Sequence, residues 1–341
     1  MYTIGVVLND LGTFKPDQTT AQLTHALAAR GHDVCVIEAD GIDVFPEGRL
    51  VARGRPARAL PTPEDTVAAL REAPLERLPL AETDLVLLRT SPGRDRRAGL
   101  HELLLQQLQI HTDRGGLVLN DPHGLMVARS KLYLARFPSW TVPHTVVTAD
   151  MRSARQALAD IDGPAVVKPL DGTQGRDVFK IAGPDEPNLS AILANLLAQG
   201  PLMVQAFVPQ AADGDVRVLL VNGKPVVVDG RAATVRRRPA KGEFRSNVHL
   251  GGSAEFAPLT PALRKVVKAV GPQLRRDGLF FVGLDTIGDR IVECNVFSPG
   301  GLADASRFAD RDFLTPVIDT IEARIAAAVE KKAAGGGGSP A

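Results

Sequence analysis

Cysteine and aromatic residues are scarce in this chain of 341 residues. Its two cysteines, Cys35 and Cys294, lie far apart in apolar, strand-like runs. This spacing excludes a disulfide scaffold and a cysteine-rich zinc site, and it favours two buried, reduced thiols. Aromatic residues make up 4% of the chain, which is too few for a platform that stacks nucleic-acid bases.

An excess of charge of one sign and a long apolar run are also missing. Lys and Arg number 40 against 39 Asp and Glu, which gives a net charge of +1, whereas a dedicated nucleic-acid binder carries a basic excess. No apolar run approaches the roughly 18 residues of a membrane-spanning helix, and the opening residues MYTIGVVLND lack the basic segment of a secretory signal. We therefore expect a cytoplasmic protein with neither a nucleic-acid nor a membrane partner.

Strand and helix patterns alternate in the first third of the chain. Apolar runs predict strands, and Thr19 to Arg30 predicts an amphipathic helix that Gly31 ends. This order indicates a parallel sheet, in which ligands collect beyond the carboxyl ends of the strands. Polar residues at those ends, which are functional candidates or else loop caps, are Asn9, Asp10, Arg89, Asn120 and Asp121. Residues 46–80, rich in Pro, Arg and Ala, are expected to form a long irregular connection around one short helix.

From about residue 124 onward the pattern predicts antiparallel sheet with interspersed helices. The segments NGKP and IGDR lie between apolar runs, as is typical of hairpin turns. The final segment, 331–341, ends in GGGGSPA and is expected to be disordered. Before it, a helix is predicted whose apolar face carries Val317, Ile318, Ile321, Ile325 and Val329.

Lys168 ends the apolar strand AVVK and is followed by a loop with two glycines, Asp171 to Gly175. A lysine at a strand end can hold a phosphate, and glycines let backbone N–H groups approach phosphate oxygens closely. An ordinary hairpin turn is the alternative interpretation. The chain contains no GxxxxGK[ST] loop, so a nucleotide site here is of another type.

Two carboxylates and an amide mark the strands GLFFVGLD and RIVECNV. Glu293 and Asn295 are two residues apart and share one sheet face, and Asp285 joins them if it pairs opposite Glu293. That pairing is expected to need the three-residue connection Gly288-Asp289-Arg290. Such hard oxygen ligands suit Mg²⁺ bound with nucleotide phosphates, and a solvated sheet face is the alternative.

The segment 231–252 mixes Arg236, Arg237, Arg238, Lys241 and Arg245 with glycines. We interpret it as a mobile, cationic lid over a polyphosphate or carboxylate substrate. A solvated charged loop is the alternative.

In combination, these motifs resemble the ATP-grasp ligases, and most closely the prokaryotic glutathione synthetases. The resemblance extends over about residues 1–328, and its motifs are Lys131 in RSKLY, VVKPLDGTQG, Asp215 and Arg217 in DGDVRVLLV, FRSNVHLGG, and FVGLDTIGDRIVECNVFSP. It implies an α/β fold, α+β overall, in three parts with ATP between the last two. These are an N-terminal substrate-binding domain with a parallel sheet (1–123), a small lid domain (124–202) and a C-terminal domain with an antiparallel sheet (203–330).

The resemblance also implies a role for each motif. The implied ATP-binding residues are Lys131, Lys168, Gly172, Thr173, Gln174, Gly175, Gln205, Ala206, Phe207, Val208 and Asp213. The implied metal ligands, for two Mg²⁺ ions or alternatively Mn²⁺, are Asp285, Glu293 and Asn295. The implied catalytic residues are Arg217, Arg245 and Asn247. The implied substrate-binding residues are Arg89, Ser298, Pro299 and Gly300.

The substrate contacts are where the chain departs from those enzymes. Thr90-Ser91-Pro92-Gly93 replaces a typical Lys-Asp-Pro-Pro, and Gly300-Gly301 stands where threonine is typical. GEFRSNVHLGG is more similar to the glutamate ligases that modify ribosomal proteins.

The resemblance implies an ATP-dependent carboxylate–amine ligase that joins γ-glutamylcysteine to glycine and forms a homo-oligomer. The alternatives are a ligase for another amino acid or peptide, such as a glutamate ligase, and a non-catalytic nucleotide-binding module.

Overall fold

A computed structural model describes residues 1–92, 98–170, 177–240 and 252–335. Its N-terminal part is a mixed sheet with helices, built around short Val, Ile and Leu runs that are buried on both faces. The elements are β1 (Thr3–Leu8), α1 (Thr19–Ala29), β2 (Asp33–Phe45), β3 (Arg49–Ala57), α2 (Pro63–Glu72), β4 (Glu76–Pro79), β5 (Leu85–Leu88), α3 (Ala98–Asp113), β6 (Val118–Leu119) and α4 (Pro122–Val127). The strand order is β4-β3-β2-β1-β5-β6, and β2, β1, β5 and β6 run parallel, as predicted.

The irregular connection expected at 46–80 is wrong. β2 continues to Phe45, and β3 and β4 then add two antiparallel strands at the edge of the sheet, with the predicted short helix forming α2 between them. The sequence did not predict β3 as a strand, because Arg and Pro interrupt its apolar residues. β3 forms because it pairs with the long β2, and β4 forms because it pairs with β3, so neither strand depends on a sequence pattern of its own.

The small domain is a four-stranded antiparallel sheet, ordered β7-β10-β8-β9, with two helices and its own apolar core. Its elements are β7 (Thr145–Thr148), α5 (Met151–Asp160), β8 (Ala165–Pro169), β9 (Phe179–Ile181), α6 (Leu189–Gln199) and β10 (Leu202–Ala206). β10 lies at the predicted boundary between residues 202 and 203, and it pairs with β7 and β8 in this sheet. The division into domains remains a prediction.

The C-terminal part contains the largest antiparallel sheet, ordered β16-β15-β11-β17-β18 with β12 beside β11. Its elements are β11 (Asp215–Val221), β12 (Lys224–Pro225), β13 (Val227–Val228), β14 (Arg231–Ala232), β15 (Thr234–Arg238), β16 (Ser253–Glu255), α7 (Pro261–Arg276), β17 (Phe281–Ile287), β18 (Arg290–Asn295), α8 (Leu302–Ala309) and α9 (Leu314–Gly335). Both predicted hairpins are confirmed, because β11 turns into β12 and β17 into β18.

The last helix, α9, buries most of its predicted apolar face. Val317, Ile318, Ile321 and Ile325 are buried, but Val329 is 40% exposed because this end of the helix extends past the core. Residues 331–335, predicted to be disordered, continue α9, and 336–341 lie outside the described residues. Within the described ranges, no helix combines the length and apolar character needed to cross a membrane.

Asn120 ties the N-terminal sheet to the C-terminal one. Its side chain is 4% exposed; Nδ2 donates to the carbonyl oxygens of Phe281 at 3.0 Å and Val296 at 2.8 Å, and Oδ1 accepts from Phe281 N at 2.7 Å. Two apolar cores continue across the same junction, since each contains residues of both parts. This junction fixes the start of β17 and the residue after β18.

We expect Asn120→Ala to lower the free energy of unfolding by about 2–4 kcal/mol, because three buried backbone groups lose their partners. Denaturant unfolding followed by circular dichroism measures this. The control is Asn195→Ala, at an exposed position of α6, which should change the value by less than about 0.5 kcal/mol. Equal effects of the two substitutions would contradict the bridging role.

Candidate active site

A cavity of about 520 Å³ lies where the three parts meet. Strand β18 contributes Glu293 and Asn295 to its wall, the segment after α4 contributes Lys131, and α3 contributes His101. The end of β8 contributes Leu170. The cavity therefore brings together residues that the sequence analysis assigned separately to metal and phosphate binding.

Asp285 does lie opposite Glu293, but not through the turn that the sequence predicted. Ile287 pairs with Arg290, so the connection has two residues, Gly288 and Asp289, and the expected three-residue connection is wrong. A β-bulge after Asp285 shifts the register by one residue, because Thr286 pairs with Ile291 and Asp285 with Glu293. With a two-residue turn alone, Asp285 and Glu293 would lie on opposite faces of the sheet. The bulge adds one residue to β18 and thereby places both on the same face.

Asp285 is 1% exposed and is held by two arginines. Arg217 donates from Nε to Oδ1 at 2.7 Å and from Nη2 to Oδ2 at 2.8 Å, while Arg237 Nη2 lies 2.7 Å from Oδ2. Asn295 Nδ2 also donates to Oδ2, at 3.0 Å. Burial disfavours the charged carboxylate, but the two guanidinium groups outweigh it and hold the pKa of Asp285 well below its usual range.

Asp215 completes the cluster from the next strand. It pairs directly across from Arg237, which donates to its two carboxylate oxygens at 2.8 and 2.6 Å, just as Arg217 pairs across from Asp285. Burial and the nearby charge of Asp285 raise the pKa of Asp215 to about 6. Two acids and two arginines thus alternate across β15, β11 and β17.

The structure corrects the interpretation of 231–252 as one mobile lid. Arg236, Arg237 and Arg238 lie on β15, where each side chain has a carboxylate partner; Glu255 of β16 serves Arg236 and Arg238. Lys241, Arg245 and Asn247 lie outside the described residues. The sequence analysis placed Arg237 in a mobile lid and did not predict it as a residue of the site. The signal that could have found it is Asp215, an acid two positions before Arg217 in a strand that is otherwise apolar.

Lys168 lies at the end of β8 and is 8% exposed. Its Nζ donates to Gln205 Oε1 at 3.0 Å and, more weakly, to Val292 O at 3.5 Å. Burial lowers the pKa of Lys168 to about 8, although the charge of Glu293 opposes the shift. Lys131 Nζ donates to Leu170 O at 3.3 Å. Gly172, Thr173, Gln174 and Gly175, which come shortly after Leu170 in the sequence, lie outside the described residues.

The segment predicted to line the adenine pocket has most of its backbone donors occupied. Ala206 N donates to His144 O at 2.8 Å and Phe207 N to Pro164 O at 2.9 Å. Val208 N has no acceptor among the described residues. The side chain of Gln205 points to Lys168 and not to an open pocket, and Asp213 is exposed.

Arg89 is a buried cation without an acidic partner in the described ranges. It is 4% exposed; Nε donates to Thr20 Oγ1 at 3.3 Å, Nη2 donates to Pro299 O at 2.8 Å, and the guanidinium carbon lies 4.9 Å from the centre of the Phe281 ring. Burial lowers the pKa of Arg89 to about 9, so it stays charged at neutral pH.

The other predicted substrate residues lie beside Arg89. Ser298 Oγ is 3.4 Å from Thr20 Oγ1, and no atom of the described residues lies within 4 Å of the position that a Cβ would take on Gly300. His101, which the sequence analysis did not single out, lines the cavity and links these segments. Its Nε2 is 2.9 Å from Thr90 Oγ1, its ring packs edge-on against Phe297, and burial together with the charge of Arg129 lowers its pKa to about 4.

The donor set of Asp285, Glu293 and Asn295 fits a hard divalent cation. Three donors reach Asp285 Oδ2 but one reaches Oδ1, so Oδ1 keeps accepting capacity. Asn295 donates through Nδ2, which leaves its oxygen without a partner among the described residues. Two carboxylates and one amide oxygen match the preference of Mg²⁺ for oxygen ligands, although the described residues contain no cluster of three His, Cys, Asp or Glu side chains.

Two family profiles match almost the whole chain. Residues 2–126 match "Prokaryotic glutathione synthetase, N-terminal domain" and residues 130–310 match "Prokaryotic glutathione synthetase, ATP-grasp domain". The glutathione synthetase of Shewanella oneidensis is 33% identical over 329 residues, which cover 95% of this chain and 99% of the relative. That of Pseudomonas putida is 35% identical over 329 residues, covering 95% and 98%.

Solved structures share the fold at lower identity. The ATP-grasp ligase PsnB, complexed with a minimal precursor, superposes with a TM-score of 0.60 at 22% identity over 96% of this chain and 99% of that one. The D-cycloserine synthetase DcsG superposes with a TM-score of 0.62 at 15% identity, covering 94% and 99%. The predicted ATP-grasp fold is thereby confirmed. By sequence over nearly its full length, the chain belongs to the prokaryotic glutathione synthetase family and is an ATP-dependent carbon–nitrogen ligase.

Proposed function

We propose that this enzyme is a glutathione synthase, which joins γ-glutamylcysteine to glycine and converts ATP to ADP and phosphate. The observation that carries the proposal is Arg89, a buried guanidinium that has no carboxylate partner among the described residues and lies beside Ser298 and Pro299. A guanidinium can bind a carboxylate through two parallel hydrogen bonds. We assign it the free α-carboxylate of the dipeptide donor.

For ATP, we propose that Lys131 and Lys168 neutralise the phosphates below the loop from Gly172 to Gly175. The free N–H of Val208 supports a hydrogen bond to the edge of the adenine base. The side chain of Gln205 is assigned to Lys168 and not to the base, and the exposed Asp213 is assigned to the ribose.

For the metal, we propose that Asp285, Glu293 and Asn295 would hold two Mg²⁺ ions, with Mn²⁺ as a substitute. When bound, the cation would supply positive charge to the phosphate oxygens. The protein keeps Asp285 ionised for this purpose through Arg217 and Arg237.

The reaction needs positioned charge and no side-chain nucleophile. The donor carboxylate attacks the γ-phosphate of ATP, which forms an acyl phosphate and releases ADP; the glycine amine then attacks the acyl carbon and expels phosphate. Arg217, with Arg245 and Asn247 from the segment beyond β15, is proposed to stabilise the charge on the transferred phosphoryl group. Because Asp285 fixes the Arg217 guanidinium in advance, little reorganisation is required when the substrates bind.

One prediction of this proposed function concerns the metal. We expect Glu293→Gln to raise the Mg²⁺ concentration for half-maximal ATP consumption by about tenfold or more, because it removes an anionic ligand at nearly constant volume. A Mg²⁺ titration of ADP release measures this. Asp289→Asn, an exposed acid in the turn of the same hairpin, serves as the control and should leave the titration unchanged. A normal Mg²⁺ titration for Glu293→Gln would remove Glu293 from the metal site.

Another prediction of the proposed function concerns the substrates. With Mg-ATP and panels of γ-glutamyl dipeptides and amino acids, we expect glutathione from γ-glutamylcysteine and glycine. Slower products are expected from alanine and serine, because the space around Gly300 is open and a methylene alters selectivity by about 1–3 kcal/mol. Mass spectrometry identifies the products.

In the same assay, Arg89→Ala should reduce kcat/KM for the donor by about ten- to a hundredfold, as expected for a lost charge-assisted contact. Arg71→Ala, which removes an arginine bound to the Phe14 carbonyl in the same domain, is the control and should retain activity. If γ-glutamylcysteine gives no product while a peptide ending in glutamate does, the glutathione assignment fails and the ligase assignment stands.

A further inference from the structure

We propose that Thr145 is a positioning residue for Lys168 and acts on it through the side-chain amide of Gln205. The inference rests on the proposed role of Lys168 in phosphate binding. Thr145 belongs to β7, at the edge of the small domain, and is one strand removed from Lys168. The route by which Thr145 would act on Lys168 is therefore the chain of hydrogen bonds through Gln205.

The strand register places the three side chains on one sheet face. Gln205 of β10 pairs with Thr145 of β7, and Met203, two residues earlier on β10, pairs with Lys168 of β8. Residues two apart on a strand share a face, so Thr145, Gln205 and Lys168 form a diagonal line across three strands. Gln205 is 3% exposed and Lys168 8% exposed, so solvent competes little for their hydrogen bonds.

The direction of each hydrogen bond in this line is fixed by chemistry. Thr145 Oγ1 donates its single proton to the carbonyl of Pro143 at 2.7 Å. It can then only accept from Gln205, whose Nε2 donates to it at 2.9 Å. The amide oxygen of Gln205 must consequently face Lys168, whose Nζ donates to it at 3.0 Å.

The opposite orientation of the Gln205 amide would be unfavourable at both ends. Its NH₂ group would face the Lys168 ammonium, which has only donors, and its oxygen would face a hydroxyl whose proton is already committed. With the amide as it stands, Gln205 Oε1 and Val292 O occupy two of the three N–H groups of Lys168. Among the described residues, the third N–H group of Lys168 has no acceptor and can bind a ligand. Thr145 fixes the direction of this N–H group, because it fixes the Gln205 amide to which Lys168 donates.

The test compares the binding of ATP with the binding of adenosine in Thr145→Val. Valine has nearly the same shape as threonine but lacks the hydroxyl. We expect the ATP dissociation constant, measured by calorimetry, to rise about fivefold or more, the equivalent of one hydrogen bond. Adenosine affinity, measured by ligand-detected NMR, should stay within about twofold, because adenosine has no phosphate. Thr145→Ser keeps the hydroxyl and should restore ATP affinity.

The matched control is Thr141→Val. Thr141 is buried and donates from Oγ1 to the carbonyl of Pro138 at 2.7 Å, as Thr145 does to Pro143, but it accepts no side-chain hydrogen bond. It should leave ATP binding unchanged. Equal weakening of ATP and adenosine, or the same loss in Thr141→Val, would show a purely structural role for Thr145 and overturn the inference.

The variant Lys168→Met distinguishes a failure of this inference from a failure of the proposed function. If Lys168→Met weakens ATP binding about ten- to a hundredfold and Thr145→Val does not weaken it, the positioning role is refuted and the phosphate role of Lys168 stands. If neither substitution weakens ATP binding, the phosphate role fails and the inference fails with it. Should Thr145→Val not fold, Gln205→Met interrupts the same chain from its middle and is held to the same expected outcomes.

Discussion

The ionised carboxylate of Asp285, buried against two arginines, is the interaction on which the rest of the candidate site depends. A carboxylate that is 1% exposed persists as an anion only when cations and hydrogen-bond donors surround it, and Arg217, Arg237 and Asn295 supply them. Because these partners come from β11, β15 and β18, the cluster requires that the sheet be assembled in one register. The β-bulge in β18 is part of that requirement, since it brings Glu293 to the same face as Asp285.

Four cations near the candidate site fall into two groups. Arg217 and Arg237 form ion pairs with Asp285 and Asp215, so both organise the sheet face around the proposed metal ligands, and this pairing also fixes the Arg217 guanidinium in place for its proposed catalytic role. Arg89 and Lys168 are more deeply buried than this pair, but their hydrogen-bond partners among the described residues are neutral oxygens. A desolvated cation with neutral partners favours an anionic ligand. This contrast supports a carboxylate at Arg89 and phosphates at Lys168.

The same packing that builds the site also joins the domains. Asn120 links the end of β6 to the beginning of β17, and Val296, its second partner, immediately follows β18, the strand of the proposed metal ligands Glu293 and Asn295. His101 reaches from α3 to Thr90 and Phe297, the neighbours of Arg89 and Ser298. The small domain has its own core, and Pro169 and Leu170, which follow Lys168 at the end of β8, line the cavity. Segments from all three parts of the chain thus line one cavity.

Elements with strong local patterns could be predicted without a structure. The parallel order of β2, β1, β5 and β6, the hairpins at NGKP and IGDR, and four of the five predicted buried positions of α9 follow from hydrophobic periodicity and turn chemistry, which act over a few residues. The motifs, read in order, also indicated the family.

The remaining features depend on contacts between residues that are distant in the chain. Of the strands within 46–80, β3 pairs with β2 and β4 pairs with β3. The bulge that aligns Glu293 with Asp285 depends on how two strands pair, and Arg237 belongs to β15, where it pairs with Asp215, and not to a lid. Likewise, Gln205 turns toward Lys168 because Thr145 fixes its amide. Each of these depends on a partner distant in the chain, and a buried polar group takes its orientation from that partner and not from its sequence neighbours.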